Sequence, residues 1–282
     1  MLRLMPTFTA PDGTLLAYRS LGAGEPLVCL PGGPMQDSAY LGDLGGLAAR
    51  RRLIVLDLRG TGGSAVPADT SSYRADRQVD DVEALRVHLG LERMDLLAHS
   101  AGTNLAILYA LRHPAHVGRL LLIAPSLFAA GVPVSGEMRL DVARLRKDEP
   151  WFASAYAALE SLTSGQGADW AAIAPLRHGR WDAGTEAYEA AIEPQTNQEA
   201  AEIFAADGVF DPPAIRAALA GYAGPVLLLA GEFDVNSPPA AVAELAALLS
   251  AATLVVQPGA GHNPWRDDPA RFLATLMEWS HR

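Results

Sequence analysis

The stretch Leu96-Leu-Ala-His-Ser-Ala-Gly-Thr-Asn104 decides how the chain is read. A short apolar run, Met94 to Ala98, ends abruptly at Ser100, and helical spacing begins at Thr103 and runs to Arg112 before Pro114 stops it. A serine at such a strand-to-helix change can do two things. It can cap the helix, which Ser does well, or it can present its hydroxyl as a nucleophile on a tight turn. The second role requires small residues two positions to either side, and Ala98 and Gly102 meet that requirement. It also places Ser100 at a helix N-terminus, where free N–H groups favour developing negative charge.

Outward from this point, short apolar runs alternate with turns and helical stretches. Leu27 to Leu30, Leu53 to Leu58, Leu120 to Ala124, Val226 to Ala230 and Leu254 to Val256 read as buried strands. Val79 to Leu89, Ala240 to Ala252 and Pro269 to Ser280 read as helices. Pro11-Asp-Gly13 between Thr7–Ala10 and Leu15–Arg19 predicts an antiparallel hairpin at a sheet edge. The pattern is that of an α/β protein with a mostly parallel sheet wrapped by helices. Residues 126–222 change character to Ala-rich, Trp-containing helical segments without a convincing strand. We therefore expect a core built from residues 1–125 and 223–282, with 126–222 inserted as a helical cap.

Two residues downstream can serve Ser100. Asp234 follows the apolar run Leu227-Leu-Leu-Ala-Gly231, and a carboxylate at the C-terminal end of a parallel strand faces the crevice where such sheets bind ligands. Glu232 is its rival, but its offset from the strand suits the role less well. His262, in Pro258-Gly-Ala-Gly-His-Asn-Pro264, is the one histidine of seven in a loop directly after the last apolar strand. The order Ser, Asp, His and the three strand ends argue for a nucleophile, a carboxylate that orients the base, and a general base. His99 adjoins Ser100, but successive strand residues face opposite sides, so it is expected to pack rather than react. His88, His113, His116, His178 and His281 fall in predicted helices, helix ends or the tail.

An oxyanion needs backbone donors. Leu30-Pro-Gly-Gly-Pro-Met35 follows a strand, its glycines permit close approach, and Pro34 lacks an N–H, so Gly33 and Ala101 are the expected pair. The Gly-rich segment Asp57-Leu-Arg-Gly-Thr-Gly-Gly-Ser64 lacks the spacing of a dinucleotide fingerprint and reads as a loop pinned by Asp57 and Arg59. Trp151, Phe152, Tyr156, Trp170 and Trp181 are candidates for an apolar pocket over the site.

These residues together resemble the α/β-hydrolase superfamily across nearly the whole chain. The resemblance implies an eight-stranded, mostly parallel sheet with helices on both faces and an inserted α-helical cap. Pro31-Gly-Gly-Pro34 followed by Asp57-Leu-Arg-Gly-Thr-Gly-Gly-Ser64 looks like the prolyl aminopeptidase (proline iminopeptidase) branch, whose members carry His-Gly-Gly-Pro-Gly and Asp-x-Arg-Gly-x-Gly-x-Ser. Removal of an N-terminal proline is what that likeness implies, with acidic cap residues such as Glu193, Glu202 or Asp207 holding the amine. The chain departs from the branch at Pro31 and Met35 in the early loop and at Ala98 and Ala101 around the serine. Esterase, lactonase, thioesterase and carbon–carbon bond hydrolase chemistry, and a ligand sensor of the same fold, therefore stay open.

Composition narrows the setting. A formal net charge of -10 with scattered Lys and Arg gives no footprint for nucleic acid. The single cysteine, Cys29, allows neither an intrachain disulfide nor a thiolate metal cage. No scattered His or acidic cluster has metal-ligand spacing; His113 and His116 straddle Pro114. The expected partner is a small-molecule or short-peptide substrate, with no cofactor or metal. No apolar run suits a signal peptide or a membrane span, so a cytoplasmic location is expected.

Overall fold

The computed structural model describes residues 5–167 and 169–280; His281 lies outside the described residues. Eight strands form one sheet in the order β1-β2-β4-β3-β5-β6-β7-β8. They are β1 (Thr7–Thr9), β2 (Leu15–Leu21), β3 (Pro26–Leu30), β4 (Arg52–Leu56), β5 (Met94–His99), β6 (Val117–Ile123), β7 (Val226–Gly231) and β8 (Ala252–Gln257). The predicted hairpin is β1 and β2 at one edge; β2 runs antiparallel to β4, and every pairing from β4 to β8 is parallel.

The apolar runs form these strands because both of their faces are covered. Alternate residues go to opposite sides: Val28, Leu30, Leu96, Leu122 and Leu228 join one core, and Leu27, Cys29, Leu97, Leu121 and Leu227 the other. Helices α1 (Ala75–His88) and α2 (Gly102–Arg112) cover the first core through Val79, Leu85, Leu105 and Tyr109. The C-terminal helix Pro269–Ser280 covers the second with Phe272, Leu276 and Trp279. The chain moves outward from β3 to β4, then returns across β3 to β5. The loops leaving β3 and β5 thus diverge at the switch point where open α/β sheets hold ligands.

Between β6 and β7 the described residues contain helices and turns: α3 (Gly136–Arg144), α4 (Phe152–Thr163), α5 (Trp170–Ile173), α6 (Ala183–Ile192), α7 (Gln198–Phe204) and α8 (Pro212–Ala220). Helices α3 to α5 share a small core with Val235, from the loop after β7. Helix α8 instead joins the first sheet core through Ile215 and Leu219. The Ala-rich run expected to be helical to Ala252 ends as α9 (Pro239–Ala247), because Ala252 already pairs with Val226 as the start of β8. Helix α10 (Pro264–Asp267) follows the His262 loop, and Pro269–Ser280 is α11. No helix among the described residues is long and apolar enough to cross a membrane.

Candidate active site

Ser100 sits between β5 and α2 with φ of 50°, a left-handed conformation that a side-chain-bearing residue adopts at a cost. Its surroundings hold it there. The Ser100 N–H donates to the Ile123 carbonyl at 3.0 Å, and its own carbonyl accepts from the Thr103 hydroxyl at 2.6 Å and the Ser126 N–H at 3.1 Å. The small neighbours are sterically required: a Cβ on Gly102 would overlap the Pro31 carbonyl, and one on Gly32 would stand 2.8 Å from the Ser100 Cβ. Asn104, in the first turn of α2, ties down the β6 exit by donating to Ser126 Oγ and accepting from the Ala129 N–H.

The structure brings Ser100, His262 and Asp234 into one hydrogen-bonded line. His262 Nε2 lies 2.8 Å from Ser100 Oγ, and His262 Nδ1 lies 2.8 Å from Asp234 Oδ2. Asp234 is fully buried, and its other oxygen accepts the Asn236 and Ser237 N–H groups at 2.8 and 3.1 Å. The carboxylate is thereby fixed as an acceptor, so Nδ1 carries the proton and Nε2 is left to accept from the serine. Glu232, the rival acid, accepts from the Gly259 N–H and shapes the loop instead.

The backbone of His262 is clamped from two sides. Its N–H donates to the Arg177 carbonyl at 2.7 Å, and its carbonyl accepts from His99 Nε2 at 2.8 Å. His99 Nδ1 in turn faces the Tyr40 hydroxyl at 2.8 Å, and that hydroxyl receives the Gly32 N–H at 2.6 Å. A carbonyl only accepts, so His99 carries its proton on Nε2 and Tyr40 donates to Nδ1. The chain runs from Gly32 through Tyr40 and His99 to His262. Burial, with the neighbouring His262 adding to it, holds His99 well below its ordinary pKa and keeps it neutral. The sequence suggests a packing role for His99, and nothing in it marks Tyr40, ten residues beyond β3, as its partner.

Because the Gly32 N–H is spent on Tyr40, Gly33 is the donor left in the early loop, and both Gly33 and Ala101 border the same cavity as Ser100 and His262. This cavity has a volume of about 1000 Å³, and its walls are mainly apolar, with Leu127, Leu159, Leu162, Ile173 and Phe210 among them. Trp170 borders it, but Trp151, Phe152, Tyr156 and Trp181 do not, which corrects the expectation for the cap aromatics. Helix α4 meets the cavity at its C-terminal end, through Leu159, Leu162 and Thr163, roughly 10 Å along the axis from Phe152. Phe152 and Tyr156 pack against each other with tilted rings at that other end, Trp151 lies under Arg146, and Trp181 packs on His178.

Of the acidic candidates for an amine, Glu193 and Glu202 are exposed and away from the cavity, whereas Asp207 borders it with its side chain exposed. The loop Asp57–Ser64 is pinned by Asp57 accepting from Ser38 and Gly63 and by Arg59 held between Asp12 and Asp81. Elsewhere, His113 and His116 are closer than their separation by Pro114 suggested: their rings stack 5.6 Å apart, and their nitrogens come within 4.8 Å of a Glu83 carboxylate oxygen. Glu83 is already engaged by Arg86, Tyr109 and His116.

The fold and this arrangement define a protein of the α/β-hydrolase type. Residues 25–269 match the family described as alpha/beta hydrolase fold, and the chain belongs to it. Among curated relatives, the proline iminopeptidase of Heyndrickxia coagulans is 38% identical over 108 residues, which is 38% of this chain and 38% of that protein. The match therefore spans under two-fifths of that relative's length. Among solved structures, proline iminopeptidase from Mycobacterium smegmatis has a TM-score of 0.73 at 23% identity, covering 98% of each chain. The esterase RhEst1 from Rhodococcus sp. ECU1013 also has a TM-score of 0.73, at 26% identity and again 98% of each chain.

Proposed function

We propose that the protein is a serine hydrolase that cleaves an ester or amide bond of a small substrate through an acyl-enzyme on Ser100. The observation that carries this reading is the unbroken line from buried Asp234 through His262 to Ser100, opening on a mainly apolar cavity. In the proposed cycle, Ser100 Oγ attacks the substrate carbonyl as His262 Nε2 takes its proton. Asp234 accepts the Nδ1–H throughout and stabilises the imidazolium, while the Gly33 and Ala101 N–H groups receive the oxyanion. His262 then gives the proton to the leaving group. Water, deprotonated by the same nitrogen, releases the acid and restores Ser100.

The likeness to proline iminopeptidases favours a second reading, removal of an N-terminal proline. It is the weaker of the two, because the one acidic side chain at the cavity among the described residues, Asp207, stands exposed. Pre-steady-state kinetics on an activated aryl ester, alongside a proline arylamide, test both readings. We expect a burst stoichiometric with enzyme on the ester, slow turnover of the arylamide, and a loss of at least about 10⁴-fold in Ser100→Ala. Preferential turnover of the arylamide would replace the first reading by the second. Thermal stabilisation by ligands without turnover would mark a sensor instead.

A further inference from the structure

Among the described residues, the wall of the cavity carries one partly buried arginine, Arg139. Arg139, on α3, donates from Nη1 to the Val235 carbonyl at 2.6 Å, and no Asp or Glu among the described residues forms an ion pair with it. The next arginines along the chain are paired with carboxylates, Arg144 with Glu137 and Asp141 and Arg146 with Glu149, whereas Arg216, bonded to the cavity-lining Gly131, is held like Arg139 by backbone carbonyls. The nearest acid electrostatically, Asp234, is committed to His262 and to two backbone N–H groups. A guanidinium offers five N–H donors in a planar fork. Here one donor goes to a neutral carbonyl, in a wall otherwise built from side chains such as Leu159, Leu162 and Ile173. Taking a cation out of water beside apolar groups is costly without a partner charge, and burial lowers the pKa of Arg139.

Resting on the serine-hydrolase reading above, we infer that Arg139 is a specificity residue for an anion: the substrate is an ester or amide whose acyl or leaving group carries a free carboxylate. The remaining guanidinium N–H groups receive that carboxylate, and the apolar wall excludes the water that would screen the pair. This assigns the cavity the opposite charge preference from that of an amine-gripping peptidase. It also explains how one side chain can join the cap to the acid loop and read the substrate: Val235, which Arg139 holds, directly follows Asp234.

The test compares matched aryl esters in which a terminal methyl is replaced by a carboxylate, such as the 4-nitrophenyl hemiester of glutaric acid against 4-nitrophenyl valerate. A second pair carries the carboxylate on the phenol. The readout is the ratio of kcat/KM, carboxylated over neutral, because a merely structural Arg139 would move both rates together. We expect a ratio about ten- to a hundredfold in favour of one carboxylated ester in the intact protein. It should collapse toward one in Arg139→Met, persist in part in Arg139→Lys, and fall as ionic strength rises. Should the variants fail to fold, competition in the intact protein decides: glutarate should inhibit, and the matched diamine should not. A ratio at or below one, a ratio unmoved in Arg139→Met, or stronger inhibition by the diamine overturns the inference. Absence of Ser100-dependent turnover on the neutral esters as well as the carboxylated ones instead overturns the hydrolase reading beneath it.

Discussion

His99 shows what a single buried side chain can hold in place. It joins the Gly32–Tyr40 pair to the carbonyl of His262 without touching the cavity, and it does so only while neutral, because its Nδ1 must accept. The unfolded chain binds a proton near the ordinary value of 6.5, whereas the folded chain resists it because burial depresses the His99 pKa. Stability from this site is therefore full above about pH 6.5 and is lost as pH falls toward the folded value. The His99→Gln variant can make both hydrogen bonds but cannot titrate. Denaturant unfolding from pH 7.5 down to 5 should show the native protein losing up to about 1.4 kcal/mol per pH unit relative to the variant below pH 6.5. Parallel curves would remove the role given to a neutral His99. In the sequence, the residues at strand ends were legible because strand, turn and helix signals leave few places for Ser100, Asp234 and His262. Tyr40 and Arg139 were not, since each acts across a distance that no local pattern encodes.

Among the elements, the loop between β4 and α1 depends on a buried ionic cluster. Arg59 is almost fully enclosed and pairs with both oxygens of Asp81 on α1 and with Asp12 from the β1–β2 turn, so one guanidinium ties three elements together. Burial pushes the Asp81 carboxyl up to about 6, against the opposing pull of Arg59. Replacing Arg59 by Met leaves Asp81 enclosed without its cation, which should cost about 3–5 kcal/mol at pH 8. An acid with a raised folded pKa loses its stabilising contribution as pH rises, and without the opposing pull of Arg59 that pKa lies above the native value of about 6, so the deficit of Arg59→Met should shrink as pH falls from 8 toward 6 and level off below it. Equilibrium unfolding at pH 5 and pH 8 checks this, and a deficit equal at both would show that packing alone is lost. Arg59 and Asp57 could be read as a pinned loop from the Gly-rich segment they frame. The acidic partners could not, because Asp12 and Asp81 come from distant segments of chain. At α4 the same limit shows in reverse: the aromatics were visible in the sequence, but not which end of the helix reaches the cavity.

Across the molecule, the sheet and its two cores follow from alternation that is visible in the apolar runs, which is why the strand content could be foreseen. The site they support is assembled from five loops, after β3, β5, β6, β7 and β8, and exists only when all five strands are in register. The helices between β6 and β7 bring Leu159, Leu162, Ile173 and Arg139 to the cavity that Ser100 borders and set its character, a property of packing rather than of local sequence. The proposal that this assembly activates Ser100 is tested most directly by treating the folded protein with a fluorophosphonate and locating the adduct by peptide mass spectrometry. The account predicts one adduct per chain, on Ser100, formed much more slowly in His262→Ala and not formed in denatured protein. An adduct on another residue, or undiminished ester hydrolysis by Ser100→Ala, would contradict it.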